Sequence, residues 1–399
     1  MRFIIVNLGC KVNRVESDAF AAALMARGGV PAAEEEAELV VVNTCTVTGE
    51  AEKKTRKAVR HALRANPTAR VVVTGCAAAL DADAFSSMDP RVEVVPKGEL
   101  AAAAPNDAAL RAGEGFRTRA GVKVQDGCDN ACTYCIVHVA RGRATSRPAD
   151  EVAAEVRALV AAGVREVVLT GINLGSYDDD EGLRLAGLLE RLLDETRGLG
   201  PRSGGPDARF RVSSVEPMDV DDAFVSLLAS AEGRVCRHLH LPLQSGSTRV
   251  LSEMARPYTA ERFCELVDGL YAAVPELSLS TDVIAGFPGE TEDDFAATLE
   301  AVRRCRFAKI HAFPYSIRTG TPAAARCDQV PAPVKAERAR RLRETGRALR
   351  SQELARRAGT RELAVVEPGG TALTESYFEL PAPEGAPAGS LVEVTFPRG

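Results

Sequence analysis

The sequence lacks tryptophan, has few aromatic residues (5%) and contains no run that approaches eighteen consecutive apolar residues. The last absence argues against a membrane-spanning helix, which needs about 20 apolar residues. Positive charge is not in excess either, because 50 Lys and Arg are balanced by 55 Asp and Glu. Any nucleic-acid surface must therefore be a local patch. What is present, 45% hydrophobic and 26% charged residues over 399 positions, is typical of a globular protein with two or three domains.

The first ten residues, MRFIIVNLGC, include an L-G-C sequence that resembles a lipoprotein cleavage site. The apolar segment from Phe3 to Val6 is too short for the hydrophobic region of a signal peptide, so we interpret it as a buried first strand. We therefore expect a cytoplasmic protein without membrane contact, in which thiols stay reduced. Ten cysteines in such a compartment favour metal or redox chemistry over disulfide bonds.

The pattern of apolar runs predicts an α/β protein of three domains. Residues 1–115 alternate short strands with helices, which predicts a small α/β domain with a mostly parallel sheet. Residues 116–357 repeat the alternation about six times, fewer than the eight units of a closed barrel, and so predict a partial (β/α)6 barrel. Residues 358–399 contain short β-like runs broken by Gly and Pro, which indicates a small all-β module.

Three cysteines with the spacing C-x3-C-x2-C lie in an eight-residue segment of the predicted barrel: Cys128, Cys132 and Cys135. A structural zinc site needs four ligands, and His138 would complete only an unusual zinc spacing. A four-iron cluster held by three cysteines keeps one iron open. The open iron can bind the amino and carboxylate groups of S-adenosylmethionine (SAM). We therefore predict a cluster that cleaves SAM to a 5′-deoxyadenosyl radical.

The predicted barrel places further candidate residues at the carboxyl ends of its strands, where ligands bind. Gly171 and Asn173 end one strand, and the glycine lets the backbone approach the amino-acid end of SAM. The segment DVIAGFPGET ends another strand with two glycines. The expected cofactor contacts are Tyr134, Gly171, Asn173, Ser213, Gln244, Asp282 and Gly286.

Three more cysteines, far apart in sequence, follow three predicted strands of the N-terminal block. Cys10, Cys45 and Cys76 stand in the similar contexts NLGC, VVNTC and VVTGC. Because the carboxyl ends of parallel strands meet at one edge of a sheet, we expect the three thiols to converge there. Buried core cysteines are the alternative, but three of them at equivalent positions make that alternative the weaker one.

The chain resembles the radical-SAM methylthiotransferases over essentially its full length. The resemblance rests on the cysteine loop with Tyr134 and on the segments LGCKVN, VVNTCTVTGEAEKKTRKAVR, HLPLQSGS, DVIAGFPGETEDDF and ALTESYFEL. It implies an auxiliary iron–sulfur cluster on the N-terminal domain, held by Cys10, Cys45 and Cys76. It also implies that the C-terminal module is TRAM-like, although this one is short and acidic for an RNA-binding module of that kind.

The resemblance also implies an activity. Two branches of the family modify tRNA and one modifies a ribosomal protein, and CKVN and NTCTVT favour the branch that acts on N6-threonylcarbamoyladenosine next to the anticodon. There, one SAM would methylate a sulfur held by the auxiliary cluster. The radical from a second SAM would remove hydrogen from C2 of the adenine, which takes up the methylthio group.

Partners and alternatives follow from the same resemblance. The implied partners are the tRNA anticodon stem-loop, an electron donor such as flavodoxin or ferredoxin, and a sulfur source. The same chemistry on isopentenyladenosine in tRNA or on an aspartate of a ribosomal protein is the nearest alternative. A zinc-stabilised RNA-binding protein without catalytic activity is the alternative from a different class.

Two basic segments are candidates for tRNA contact through phosphates. The helix after Cys45, EKKTRKAVRHALR, carries a stripe with the spacing i, i+3, i+4 and i+7 that excludes Lys54. The stripe consists of Lys53, Arg56, Lys57 and Arg60. The segment ARGRATSRP adds Arg143 and Arg147. A third basic segment, the helix over 333–357, either shares this task or braces the barrel.

The remaining cysteines and two histidines are interpreted as structural. His238 and His240 alternate on one predicted strand and so share a face. A metal pair is an alternative there, but packing or hydrogen bonds in a pocket are favoured. The remaining cysteines have no ligand spacing: Cys236, Cys264, Cys305 and Cys327.

Overall fold

The computed structural model describes residues 1–46, 49–96, 117–199 and 206–398. The domain boundary predicted at residue 115 lies outside the described residues. No helix within these ranges is both long and apolar enough to cross a membrane.

The N-terminal part is a parallel sheet covered by helices on both faces. Its strands are β1 (Arg2–Asn7), β2 (Val30–Pro31), β3 (Leu39–Thr44), β4 (Arg70–Gly75) and β5 (Val92–Val94), and its helices are α1 (Lys11–Ala26), α2 (Gly49–Ala65), α3 (Cys76–Leu80) and α4 (Ala82–Ser86). The strand order is β2-β1-β3-β4-β5, and every pair is parallel. The short strand β2 had no counterpart among the predicted strands.

The two central strands explain why the sheet is buried on both faces. β3 and β4 are rich in valine, and alternate residues along β3 face opposite layers. Val41 packs with Phe20 of α1, whereas Val40 and Val42 pack with Val59 of α2. This double burial fixes the strand register, and with it the positions of the loops that follow the strands.

The central part is the predicted partial barrel. Its strands are β6 (Arg119–Lys123), β7 (Gln125–Asp126), β8 (Thr145–Ser146), β9 (Glu166–Thr170), β10 (Arg209–Val212), β11 (His238–His240), β12 (Ser278–Ala285) and β13 (Lys309–Pro314). Its helices are α5 (Val137–Arg141), α6 (Ala149–Ala161), α7 (Leu185–Glu195), α8 (Asp222–Ser230), α9 (Thr248–Glu253), α10 (Ala260–Ala273), α11 (Glu292–Arg304) and α12 (Ala332–Arg356).

Six parallel strands form the barrel wall in the order β6-β9-β10-β11-β12-β13. Parallel bridges from Phe210 to Val235 and from Ser214 to His240 join β10 to the β11 segment. The short pair β7 and β8 is antiparallel and lies outside the wall. The mixed α/β fold with a partial six-stranded barrel is therefore confirmed.

The basic helix α12 braces the barrel. Arg338 forms ion pairs with Glu290 and Glu292, and Arg341 also pairs with Glu292. The helix lies close against β13, where Gly346 faces Ile310. A Cβ atom at position 346 would lie 3.3 Å from Ile310 Cβ, so a larger residue would fit only if Ile310 moved. Because these guanidinium groups are already paired with carboxylates, this face of α12 stabilises the protein rather than presenting charge to RNA.

The C-terminal part is an all-β module, as the sequence predicts, and the structure shows that it is a four-stranded antiparallel sheet. Its strands are β14 (Arg361–Glu367), β15 (Thr371–Thr374), β16 (Glu379–Pro381) and β17 (Leu391–Thr395), in the order β16-β15-β14-β17.

A fully buried ion cluster attaches this sheet to the barrel. Glu166 accepts hydrogen bonds from Arg209 and Arg211, whose other N–H groups donate to carbonyl oxygens of the C-terminal sheet. Burial raises the pKa of Glu166, but Arg211 and Arg209 outweigh burial and lower the pKa to about 2. The cluster therefore stays charged at any physiological pH.

Candidate active site around two cysteine triads

The N-terminal cysteines follow three adjacent strands at the same edge of the sheet. Cys45 and Cys76 come directly after β3 and β4, and Cys10 follows β1 by three residues. Asn7 pairs with Asn43, and Thr44 pairs with Gly75, so the three strands end at the same level. Thr44 Oγ1 also accepts hydrogen bonds from the first N–H groups of α3, at Ala77 and Ala78. The predicted convergence of the three loops is therefore present.

A buried asparagine pair explains the glycine before Cys10 and the glycine before Cys76. Asn13 Nδ2 donates to Asn43 Oδ1 (2.8 Å) and to the Thr44 carbonyl (2.8 Å). A Cβ atom on Gly9 would lie 2.3 Å from Asn13 Cγ, and one on Gly75 would lie 2.5 Å from Asn43 Oδ1. Gly75 also has φ +95°, which other residues rarely adopt. Both glycines are thus needed for the loops to pack against this pair.

The second triad lies in the loop between β7 and α5. Backbone N–H groups of Asn130 and Val137 point at the sulfurs of Cys128 and Cys135, at 3.4 Å each. Arg256, whose side chain is 1% exposed, donates to Cys132 Sγ (3.1 Å) and also contacts Glu216. Each sulfur therefore receives an N–H donor, which suits thiolates that bind a metal cluster. Burial raises the pKa of the metal-free Cys135 thiol to about 11.

Arg141 joins the two triads. It ends α5, six residues after Cys135, and its side chain is fully buried. Its Nε donates to Cys76 Sγ (3.2 Å), and Nη1 donates to Asp126 (2.9 Å) and Glu16 (3.0 Å). One guanidinium thus contacts a cysteine of the N-terminal sheet and a carboxylate at the start of the second loop. Arg141 therefore links the loop that carries Cys76 to the strand that precedes the second triad.

The Gly171 loop is clamped by a residue that the sequence did not single out, Gln125. Its Oε1 accepts from the N–H groups of Ile172 and Asn173 (2.9 Å each), while its Nε2 donates to the Gly127 carbonyl (2.9 Å). It therefore ties the strand-end loop to the start of the cysteine loop. A lone glutamine three residues before Cys128 carries no periodicity or spacing signal that could have identified this role.

Two buried oxygen atoms near this loop have no hydrogen-bond donor within the described residues: Asn173 Oδ1 and Asp219 Oδ2. The Asp219 side chain packs against Gly175, where a Cβ atom would lie 2.3 Å away. Unpaired buried acceptors suit a ligand that brings its own donors, such as the ammonium group of an amino acid. The residues here therefore fit the amino-acid end of SAM.

Asp219 predicts a pH dependence of stability. Burial, then the charge of Glu216, raises the pKa of Asp219 from 3.8 to about 6. The folded protein binds this proton more tightly than the unfolded chain, so the associated stability is present below pH 4 and lost as the pH rises through 6. We expect Asp219→Asn to stabilise the SAM-free protein by about 1–2 kcal/mol at pH 8.

The measurement is urea unfolding of wild type and Asp219→Asn between pH 5 and 8. The difference in unfolding free energy should grow with pH and level off above about pH 7, because the wild-type carboxylate is then ionised. A difference that does not change with pH would contradict a buried carboxyl group that resists ionisation.

The remaining residues that were expected to contact SAM lie in several different environments. Ser213 is buried at the end of β10, and Gln244 is buried with φ +64°, a strained value for this residue type. Tyr134 packs partly buried against the apolar cluster of Phe287 and Tyr315. The Gly286 N–H donates a hydrogen bond to Glu290 Oε2 (2.7 Å), so the backbone of Gly286 has a structural role.

Asp282 lies with two histidines on the inner face of the barrel. Its carboxylate is 3.4 Å from His240 Nε2, and His240 is adjacent to His311. His238 and His240 both bond Ser280 Oγ, at 3.1 and 3.0 Å, as expected for hydrogen bonds in a pocket. Asp282 thus faces a different group of side chains from the Gly171 loop.

Some of the residues expected to contact tRNA are already paired with carboxylates of the protein, and others are exposed. Arg56 is half-buried and pairs with Glu52 (3.2 Å) and Asp81 (3.7 Å). Arg147 donates to Glu155 (2.7 Å) and to the Lys123 carbonyl, so it holds α6 instead of facing solvent. Neither guanidinium is therefore well placed to bind a phosphate.

Three residues of the predicted α2 stripe stay exposed: Lys53, Lys57 and Arg60. The N-terminus of α2 is fixed beside the candidate site, because the Gly49 N–H donates to Ser316 Oγ (3.1 Å) in the loop after β13. Arg143 is largely exposed and pairs with Asp129 inside the second cysteine loop.

Two family models match the chain. Residues 122–302 match the radical SAM superfamily, and residues 2–96 match the uncharacterized protein family UPF0004. The threonylcarbamoyladenosine tRNA methylthiotransferase MtaB of Chlamydia pneumoniae is 37% identical over 94% of this chain and 90% of the relative. The chain belongs to the MtaB-like radical-SAM methylthiotransferases.

Further relatives agree with this family. MtaB of Bacillus subtilis is 38% identical over 84% of this chain and 78% of the relative. A tRNA-2-methylthio-N(6)-dimethylallyladenosine synthase of Mycolicibacterium paratuberculosis is 40% identical over 84% of this chain and 70% of the relative.

A solved structure agrees with the fold. The radical S-adenosylmethionine methyltransferase TsrM of Kitasatospora setae superposes with a TM-score of 0.54 at 17% identity, covering 81% of this chain and 75% of TsrM. At this identity, the likeness concerns the fold alone.

Proposed function

We propose that this protein is an enzyme that adds a methylthio group to C2 of N6-threonylcarbamoyladenosine next to the anticodon of tRNA. The observation that carries the proposal is the contact of Arg141 with Cys76 and Asp126, which makes the two cysteine triads parts of one site. Relatives named for this activity span nearly the whole chain.

Two four-iron clusters and SAM are the cofactors. Cys128, Cys132 and Cys135 would hold the cluster that faces SAM, and a second triad would hold the auxiliary cluster. The second triad consists of Cys10, Cys45 and Cys76. When bound, these groups supply the electron, the radical and the sulfur that the reaction requires.

The protein's own residues orient these groups. Asn13 and Asn43 fix the loops of the auxiliary triad, and Gln125 fixes the Gly171 loop against the second triad. Asn173 and Asp219 would accept hydrogen bonds from the ammonium group of SAM. Burial of these side chains excludes water from the region in which a radical must survive.

The domain division supports the same proposal. We place the N-terminal domain at residues 1–115, the barrel with α12 at 116–357 and the TRAM-like module at 358–399. The matches over 2–96 and 122–302 support this division, as does the separation of the N-terminal and C-terminal sheets from the strands of the barrel.

The proposal also includes the compartment, the electron donor and the sulfur source of the reaction. Cytoplasmic tRNA is the substrate, an electron donor such as flavodoxin or ferredoxin reduces the cluster, and a separate sulfur source reloads the auxiliary cluster. Dimethylallyladenosine tRNA is the second candidate substrate, because synthases named for it reach 40% identity with this chain.

The deciding experiment is mass spectrometry of tRNA nucleosides from cells with and without the gene. Loss of the methylthio form of threonylcarbamoyladenosine, with the unmodified form accumulating, is the expected result. Loss of the methylthio form of dimethylallyladenosine would instead support the second substrate. Purified protein that contains zinc but no iron would support the RNA-binding alternative.

The α2 stripe predicts how the tRNA is bound. Neutralising Lys57 and Arg60 with glutamine should weaken tRNA binding about tenfold and reduce the salt dependence of log Kd by about 2, because two phosphate contacts are lost. The measurement is fluorescence anisotropy with tRNA at several salt concentrations.

The matched control is Lys54→Gln, on the same helix but outside the stripe, which should change the affinity much less. Iron content and tRNA-independent SAM cleavage should be unaffected in both variants. A double variant that keeps the wild-type salt slope would show that tRNA approaches from elsewhere.

A further inference from the structure

Lys11 is an unusual cation in the candidate site. It directly follows Cys10 and begins α1. It forms no ion pair within the described residues, and the aromatic ring nearest to its Nζ is that of Tyr377, 5.8 Å away. Most arginines around the site, such as Arg141 and Arg256, are neutralised by carboxylates.

Lys11 is exposed to solvent, although groups of the barrel and of the C-terminal sheet lie near its ammonium group. Lys11 and Cys10 are exposed to solvent, whereas the next residues, Val12 and Asn13, are buried. The pKa of Lys11 is nevertheless lowered, first because the surrounding protein desolvates the ammonium group. Lys11 therefore stays accessible to a ligand, directly beside a cysteine of the auxiliary triad.

Tyr377 brings the C-terminal sheet to the same place. It lies in the turn between β15 and β16 with φ +69°, a strained value for tyrosine. Its ring stacks on His238 (4.7 Å between centroids), and the Arg211 guanidinium lies 5.0 Å from the ring centroid. Burial raises the pKa of Tyr377, but Lys11, Arg119 and Arg211 outweigh burial and lower it. The N-terminal domain, the barrel and the C-terminal module thus meet at Lys11. Arg211 and Arg119 are paired with Glu166 and Glu367, whereas Lys11 forms no ion pair within the described residues.

The ammonium group of Lys11 favours an anion over a cation at this place. The nearby group of His240, Asp282 and His311 places its ligand atoms within 4.8 Å of one another, as a metal site would. The cations that surround the group, among them Lys11 and Lys309, oppose a second positive charge there. A carboxylate, in contrast, would pair with the ammonium group that has no partner.

The proposed substrate supplies such a group. Threonine joined through its amino nitrogen to the carbamoyl group keeps a free carboxylate, which is ionised at neutral pH. A dimethylallyl substituent has no charge and would leave the desolvated ammonium group without a partner. We propose that Lys11 binds the carboxylate of the threonylcarbamoyl group and selects this substrate against dimethylallyladenosine, an inference that rests on the proposed function.

The test combines two proteins with two RNAs. Wild type and Lys11→Gln are each measured with anticodon stem-loop RNA that carries threonylcarbamoyladenosine, or its carboxamide analogue in which the carboxylate is neutral. Binding constants and kcat/KM are determined for the four pairs, and the wild type is also assayed with stem-loop RNA that carries dimethylallyladenosine. Because RNA binding can be measured without turnover, the result does not depend on cluster loading.

The wild type should prefer the carboxylate RNA by about 10- to 100-fold, as expected for a hydrogen-bonded ion pair shielded from water. In Lys11→Gln the preference should fall to about twofold or less, and Lys11→Arg should retain most of it. Arg343→Gln, which removes an exposed charge from α12, should leave the preference unchanged. Iron content and SAM cleavage report whether the variants keep an intact site.

The outcomes separate this inference from the proposed function. A wild type that methylthiolates both RNAs equally well would overturn the role of Lys11 and leave the proposed function standing. Equal preference in wild type and Lys11→Gln would do the same. A wild type that modifies dimethylallyladenosine RNA but not threonylcarbamoyladenosine RNA would overturn both.

Discussion

Replacing Cys128, Cys132 and Cys135 together with alanine is expected to abolish reductive SAM cleavage and to lower the iron content by about half. The physical reason is that no other side chain in this loop can replace a thiolate, and a cluster without three ligands does not keep its open iron in place. The measurements are 5′-deoxyadenosine formation with a chemical reductant and iron per chain after anaerobic reconstitution.

The matched control replaces Cys10, Cys45 and Cys76 with alanine. Iron should again fall by about half, but SAM cleavage should continue while the methylthio product disappears. Cleavage that survives in the first variant would contradict the assignment of the cluster that faces SAM. An unchanged iron content in the control would mean that its cysteines belong only to the core.

Replacing Arg141 with methionine is expected to produce the largest loss of stability among single substitutions in the site. The side chain is fully buried and forms hydrogen bonds with Glu16, Asp126, Asn13 and Cys76. Removing one partner of a buried ion pair costs about 3–5 kcal/mol, because a charge stays buried without its partner. Lys123 also contacts Glu16 and Asp126 and would still compensate part of their charge. We therefore expect a loss at the lower end of that range.

The variant should also lose iron from the auxiliary cluster before the other, because Cys76 loses its N–H donor. Urea unfolding and iron analysis measure the two effects. Arg143→Met is the control, since that side chain is 88% exposed and pairs with Asp129 at the surface; it should change stability far less than Arg141→Met. A stability of Arg141→Met equal to that of this control would contradict the proposed link between the triads.

The sequence by itself determined the α/β alternation, the partial barrel and the all-β C-terminal module, and it singled out the two cysteine triads as candidate ligands. Valine-rich runs followed by helical periodicity predict parallel strands, and parallel strands end at one edge, so Cys10, Cys45 and Cys76 could be grouped without coordinates. The spacing of the second triad disfavoured an ordinary zinc site, because His138 would complete it only at an unusual spacing. The conclusions about the fold hold because they depend on local periodicity, while the two triads stay predictions as cluster ligands.

Only the tertiary structure decided which charged and polar side chains take part in the site. Arg56, Lys57, Arg143 and Arg147 look alike in the sequence, but Arg56 and Arg147 are paired with carboxylates while Lys57 is exposed. Their partners are contributed by other helices and loops, which no local pattern reveals. The roles of Gln125, Arg256 and Arg141 were not assigned from the sequence for the same reason.

Lys11 and Tyr377 show most clearly what could not be predicted from the sequence. They are separated by more than 360 positions in the chain, and their meeting depends on how the C-terminal sheet docks onto the barrel through Glu166, Arg209 and Arg211. Local propensity carries no information about such docking, because its free energy comes from buried charges and hydrogen bonds between distant segments. The sequence therefore indicated the chemistry that the protein can perform, and the packing of its domains decided which residues surround the candidate site.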